Sequence, residues 1–217
     1  MNPSKAIIFD LDGTLVDSLE DITRALNQAL NEHHRRSVEQ DSVRAWIGDG
    51  LPVLCRRALA DTGDCDGLEG FVKSVRSSYE ARCTELTRPY RNILKTLELL
   101  KAREVPMAVL SNKPHALTQR VLEDLGLTIF FLAVRGYTKE ESKKPSPKQA
   151  ISIADEMNVA YADVLLVGDS VVDIRTARNA GMQSVAVTWG FQKKSKLEAE
   201  NPDLMIDDPL ELPGLLQ

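Results

Sequence analysis

Two aspartates, Asp10 and Asp12, stand two residues apart at the end of the apolar run Ala6-Ile7-Ile8-Phe9. An extended chain turns alternate side chains to one face, so both carboxylates point the same way. Gly13 follows and permits a sharp exit from the run. A second acidic turn, Gly168-Asp169-Ser170 with Asp173 beyond it, closes another apolar run, 164–167. A helix opening at this turn would put Asp169 and Asp173 on one face. Taken alone, the same pair reads as an N-cap and a helix-dipole partner. Three or four carboxylates gathered at one strand edge repel strongly unless a cation neutralises them. An all-oxygen cluster selects a hard ion such as Mg²⁺.

Two further segments add donors and positive charge. Ser111 and Asn112 end a third apolar run, where a hydroxyl and backbone N–H groups can bind a phosphoryl oxygen. Their plainer reading is a cap for the helix expected over 116–125. Lys144 lies in Lys143-Lys144-Pro145-Ser146-Pro147, beside a turn stiffened by proline.

The elements that must position these residues follow from periodicity. Nearly all-apolar runs recur at 6–9, 105–110, 132–134, 164–167 and 184–187, with a sixth at 204–206, as parallel strands covered on both faces require. Helical patterns lie between them at 93–100, 116–125, 147–157 and 171–180, with Gly126 and Gly181 at the expected C-termini. This alternation predicts an α/β fold with a doubly wound, mainly parallel Rossmann-like sheet. The stretch from the first run to Pro89 breaks the rhythm. It carries only helical faces (Leu19, Ile22, Leu26, Ala29, Leu30; Val53, Leu54, Ala58, Leu59; Phe71, Val72, Val75, Tyr79) and is too long for a crossover loop. We expect a core of residues 1–16 and 89–217 and a small inserted helical domain of 17–88.

Of 217 residues 43% are hydrophobic and 27% charged, enough apolar material for a sizeable core. The net charge of −5 argues against a dedicated nucleic-acid binder. Cys55, Cys65 and Cys83 form no CxxC spacing and suit a reducing cytosol. Met1-Asn2-Pro3-Ser4-Lys5 lacks a signal-peptide layout, and the longest apolar stretch, 127–134, is too short to cross a bilayer. A cytoplasmic protein without membrane association is expected.

In order, these pieces resemble the four motifs of the haloacid dehalogenase superfamily, and the resemblance runs over the whole chain. The insertion resembles that superfamily's helical type-1 cap. Within the superfamily the chain is similar to the phosphoglycolate phosphatase-like group through FDLDGTLVDSLEDI, WIGDGLPVLCRRAL, VLSNKP with VLEDLGL, KPSP, GDSVVDIRTARNAG and AVTWGF. It departs at Arg135-Gly136-Tyr137, where relatives often read Gly-Gly-Asp. Dehalogenases generally lack the second aspartate of Asp10-x-Asp12, so phosphoryl transfer is favoured.

The resemblance implies an Mg²⁺-dependent phosphatase acting through an aspartyl phosphate. Asp10 is the implied nucleophile and Asp12 the general acid and base. Asp10, the backbone carbonyl of Asp12, and Asp169 are the implied metal ligands. Ser111, Asn112 and Lys144 stabilise the transferring oxygens, Lys144 also counting with the catalytic set, and Asp173 orients the metal shell or Lys144. The cap closes over the site and recognises the leaving group, with Arg44, Arg56 and Arg57 available to meet a carboxylate. The expected substrate is 2-phosphoglycolate. Close alternatives are a sugar-phosphate or pyrophosphate phosphatase, or a phosphosugar mutase. A receiver-type aspartyl-phosphate switch is the alternative of another class, though receivers need no helical insertion. A monomer or homodimer is expected.

Overall fold

A computed structural model describes residues 5–63 and 66–216. Cys65 and residues 1–4, on which part of the cysteine and leader arguments rests, lie outside them. In chain order the elements are β1 (Ala6–Phe9), β2 (Val16–Asp17), α1 (Leu19–Glu32), α2 (Gln40–Trp46), α3 (Leu51–Asp61), α4 (Leu68–Arg82), β3 (Arg88–Pro89), α5 (Ile93–Ala102), β4 (Met107–Pro114), α6 (His115–Asp124), β5 (Ala133–Tyr137), α7 (Lys148–Glu156), β6 (Val164–Gly168), α8 (Val171–Ala180), β7 (Gln183–Val187), α9 (Lys194–Glu198) and β8 (Leu204–Ile206). The chain forms two compact units, Met1–Val16 with Pro89–Gln217, and Asp17–Arg88.

The first unit is built on a six-stranded sheet in the order β5-β4-β1-β6-β7-β8, with every pairing parallel. β1 is buried along its whole length, which is why its sequence is continuously apolar rather than alternating. Burying each Ile or Phe side chain there contributes about 1.5–3 kcal/mol. On one face Ile8, Leu110 and Leu166 pack with Ile153 of α7 and Ala177 of α8. Strand order runs outward from β1 to β4 and β5 on one side, then to β6, β7 and β8 on the other. The C-terminal ends of β1, β4 and β6 therefore flank a topological switch point, where open α/β sheets hold ligands.

The second unit is helical. α1 buries Leu19, Leu26, Ala29 and Leu30, α3 buries Leu54, Ala58 and Leu59, and α4 buries Phe71, Val75 and Tyr79. Pro52 falls in the first turn of α3. Two features differ from the sequence expectation. α2 buries only Val43 and so offers no apolar stripe to the eye. The two-residue strands β2 and β3, too short to show a period, pair where the chain passes between the units. Cys55 and Cys83 are buried, and burial pushes the Cys55 thiol up to about 12. Among the described residues no helix is long and apolar enough to cross a membrane.

Candidate active site

The first motif sits where β1 ends. The Asp10 N–H donates to Val167 O of β6 at 2.9 Å, so the backbone of this residue is fixed by the neighbouring strand. The chain then folds back tightly, with Leu15 N and Val16 N both donating to Leu11 O. Gly13 makes this turn at φ +87°, and a Cβ there would lie 2.3 Å from an Asp169 carboxylate oxygen. Only glycine satisfies both the backbone angle and the space.

Asp10 and Lys144 form the charged centre. Lys144 Nζ lies 2.8 Å from Asp10 Oδ1 and 2.6 Å from Asp173 Oδ1. Asp10 Oδ1 also accepts from Leu11 N at 2.7 Å. Burial pushes Asp10 up to about 7; the Lys144 charge pulls it down and the Asp173 charge pushes it up. Burial alone would lower Lys144, but Asp10 and Asp173 together hold its ammonium above the usual lysine value.

The acidic turn after β6 is arranged differently from the sequence expectation. α8 starts at Val171, so Asp169 precedes the helix and does not share a helical face with Asp173. The N-cap is Ser170, whose hydroxyl accepts from Asp173 N while Asp173 Oδ2 accepts from Ser170 N at 3.1 Å. Asp169 is thereby released from capping. Its Oδ2 accepts from Phe191 N at 2.7 Å, and Thr14 Oγ1 lies 3.5 Å from its Oδ1. Burial, then the charges of Asp10 and Asp173, hold its carboxyl well above the ordinary range.

Carboxylate oxygens of Asp10, Asp169 and Asp173 lie within 4.8 Å of one another, all three residues being buried. Against one lysine, three ionised carboxylates leave two negative charges uncompensated in a low-dielectric site, which is the balance a divalent cation corrects. The donors are all oxygen, the kind a hard ion such as Mg²⁺ takes. Both oxygens of Asp173 are engaged, by Lys144 and by Ser170. Asp10 and Asp169 are thus the carboxylates suited to direct ligation, and Asp173 the one that orients Lys144.

Ser111 and Asn112 arrive on β4, which runs four residues beyond its apolar stretch instead of ending there. They do not cap α6, whose N-cap position is Pro114. The Asn112 carboxamide binds the main chain of Lys144 in both directions, Nδ2 to Lys144 O at 3.1 Å and Lys144 N to Oδ1 at 2.8 Å. Its side chain therefore holds the lysine loop. The Ser111 hydroxyl accepts from Lys113 N at 3.2 Å.

Several contributors were not singled out from sequence. Lys113 pairs with Asp12 at 2.6 Å. Trp189 Nε1 donates to Thr14 O at 3.1 Å and steadies the turn after β1. A Cβ on Gly190 would lie 2.2 Å from Asp169 Cβ. Only the AVTWGF resemblance points near the last two. Of the arginines that the sequence does single out in the helical unit, Arg57 pairs with the carboxylate of Asp49 at 2.6 Å.

Comparisons with known proteins agree with this geometry. Residues 7–187 match the family model for haloacid dehalogenase-like hydrolases. A phosphoglycolate phosphatase of Pseudomonas syringae pv. tomato is 37% identical, covering 98% of this chain and 80% of its own length. One from Aquifex aeolicus is 33% identical over 98% of this chain and 96% of its own. A crystal structure described as a predicted phosphoglycolate phosphatase from Haemophilus somnus 129PT has a TM-score of 0.93 at 30% identity, with 100% of both chains covered. With the motif residues gathered at one sheet edge and the match extending along the chain, this protein belongs to the haloacid dehalogenase-like hydrolases and is an enzyme of the phosphatase type.

Proposed function

We propose that the protein is an Mg²⁺-dependent phosphatase of small phosphate monoesters, with 2-phosphoglycolate, giving glycolate and phosphate, as the first substrate. The observation that carries this reading is the buried Asp10–Lys144–Asp173 array with Asp169 beside it. The names of the relatives support the choice of ester.

Uncatalysed monoester hydrolysis is slow enough that the site must supply upwards of ~20 kcal/mol. An Asp10 oxygen attacks phosphorus, the P–O bond to the leaving alkoxide breaks, and Asp12 gives that oxygen a proton. Asp12 then takes a proton from water, whose oxygen displaces Asp10 and releases phosphate. Lys144, Ser111 and the main chain of Asn112 hold the transferring oxygens, and Asp173 keeps Lys144 aimed. Asp10, the backbone carbonyl of Asp12, and Asp169 would hold Mg²⁺, whose charge lets an anionic nucleophile approach an anionic ester. Residues 17–88 serve as the cap domain that selects the leaving group, and 1–16 with 89–217 as the catalytic core. The enzyme works in the cytoplasm on a free metabolite, as a monomer or homodimer, without nucleic acid or membrane.

The test is phosphate release across a panel of esters, with EDTA and then added Mg²⁺, joined to rapid-quench trapping of phosphoenzyme. EDTA abolishes turnover, Mg²⁺ restores it, and Asp10→Asn forms no phosphoenzyme. Full turnover without metal, or phosphate trapped on another residue, overturns the mechanism. A sugar phosphate or pyrophosphate preferred over 2-phosphoglycolate overturns only the substrate.

A further inference from the structure

Lys113 has no task in the mechanism above, yet it is among the best-placed cations of the core. It is 8% exposed, and its Nζ lies 2.6 Å from both Oδ1 and Oδ2 of Asp12. Its placement is built into the sheet. β4 pairs with β5 as Ser111↔Gly136 and then Pro114↔Tyr137, so Asn112 and Lys113 form a bulge with no counterpart on β5. Bulges re-aim side chains. This one sends Asn112 to the Lys144 loop and Lys113 to Asp12. Gly136 makes room for it, because a Cβ there would lie 2.5 Å from Lys113 O.

From this geometry we infer that Lys113 is a positioning residue that fixes the carboxylate of Asp12 for the hydrolysis of the phosphoenzyme. The inference rests on the proton-transfer role proposed for Asp12. A contact to both oxygens fixes the carboxylate plane, which rotation about the Cβ–Cγ bond would otherwise leave open. In the second half-reaction Asp12 removes a proton from water, the water oxygen bonds to phosphorus, and the electron pair of the broken P–O bond returns to Asp10. Misplacing such a group by about an ångström slows a step ~100-fold. The first half-reaction with an activated aryl ester needs no acid and is indifferent to Lys113.

The experiment uses the full chain with Mg²⁺ and 4-nitrophenyl phosphate in stopped flow. Lys113→Met gives a 4-nitrophenolate burst near one per enzyme, followed by a steady state ~10- to 100-fold slower than wild type. Lys113→Arg, which keeps a donor fork for the carboxylate, recovers the steady state to within about tenfold. Asp12→Asn/Lys113→Met turns over no more slowly than Asp12→Asn, since Lys113 acts through Asp12. This double variant leaves no orphaned carboxylate, so it decides the matter even if Lys113→Met does not fold. A wild-type steady state in Lys113→Met, a lost burst, or additive losses in the double variant overturns the positioning role. Wild-type turnover in Asp12→Asn instead overturns the role of Asp12, and that of Lys113 falls with it.

Discussion

Gly190 provides a steric test of the acidic site that leaves every charged residue in place. A Cβ added there would lie 2.2 Å from Asp169 Cβ, 2.5 Å from Asp169 Oδ2 and 2.4 Å from the main-chain oxygen of Gly13. Carbon atoms in contact prefer ~3.5–4.0 Å, so the overlap exceeds about an ångström. Neither neighbour can yield freely. Asp169 is held by Phe191 N, whose own position follows that of Gly190, and the Gly13 carbonyl belongs to the tight turn after β1. Gly190→Ala should therefore cost about 1–3 kcal/mol of metal-free stability, as overpacking does. The displacement of Asp169 by about an ångström should also slow turnover ~100-fold. Mg²⁺ affinity by calorimetry, steady-state kinetics and urea unfolding would be measured on Gly190→Ala and on Gly214→Ala, where a Cβ meets nothing within 4 Å. The control should match wild type in metal affinity and rate. Wild-type Mg²⁺ affinity and rate in Gly190→Ala would refute the claim that this glycine is needed for the placement of Asp169.

Three other outcomes follow from buried carboxylates. With Asp10 pushed up to about 7 by burial, the metal-free fold binds a proton there that an unfolded chain releases near ~3.9, so its stability should fall as pH rises between those values. A cation held by Asp10 and Asp169 must displace the protons they carry, so Mg²⁺ affinity should weaken at least about tenfold per unit below pH 7; calorimetry in buffers of different ionisation enthalpy counts the protons, and a flat affinity from pH 5.5 to 7.5 would contradict the assignment. In the helical unit, Asp21 accepts from Thr87 N at 2.8 Å, Thr87 Oγ1 at 2.7 Å and Leu86 N at 3.0 Å. Asp21→Ala leaves those donors unmatched and should lower stability by about 3 kcal/mol in urea unfolding; a loss below ~1 kcal/mol would show that water replaces the carboxylate.

What sequence can and cannot disclose is visible in particular elements. α8 and β8 fall on the expected residues, because Ser170 and Gly181 bracket one and an apolar triplet defines the other. The polar run Ser111-Asn112-Lys113 predicts that β4 stops at Leu110. The strand continues because those polar side chains are buried among partners drawn from other parts of the chain. α2 shows no period in the sequence, because it buries only Val43. Asp169 and Ser170 are adjacent cap formers, and only coordinates show which one caps. Lys113, Trp189 and Gly190 act through contacts 101, 175 and 21 residues away in the chain, a distance over which spacing says nothing.

The same burial that hides these contacts from the sequence sets the electrostatics of the site. Parallel pairing sets Phe9 opposite Val167, and the next bond, Asp10 N to Val167 O, carries that register past the end of β1. Asp10 is thus one residue beyond its strand's last pair, and Asp169 one residue beyond the end of β6. Neighbouring strands lie ~4.7–4.9 Å apart, so two carboxylates placed this way must share one small volume. A slip of one residue in either strand would turn an aspartate to the opposite face, and in β1 would put Phe9 or Leu11 in its place. The hydrophobic pattern of β1 and β6 therefore fixes the geometry of the acidic site as well as the core. Burying the carboxylates there raises Asp10 and Asp169 and makes a cation the natural counterpart of the folded state.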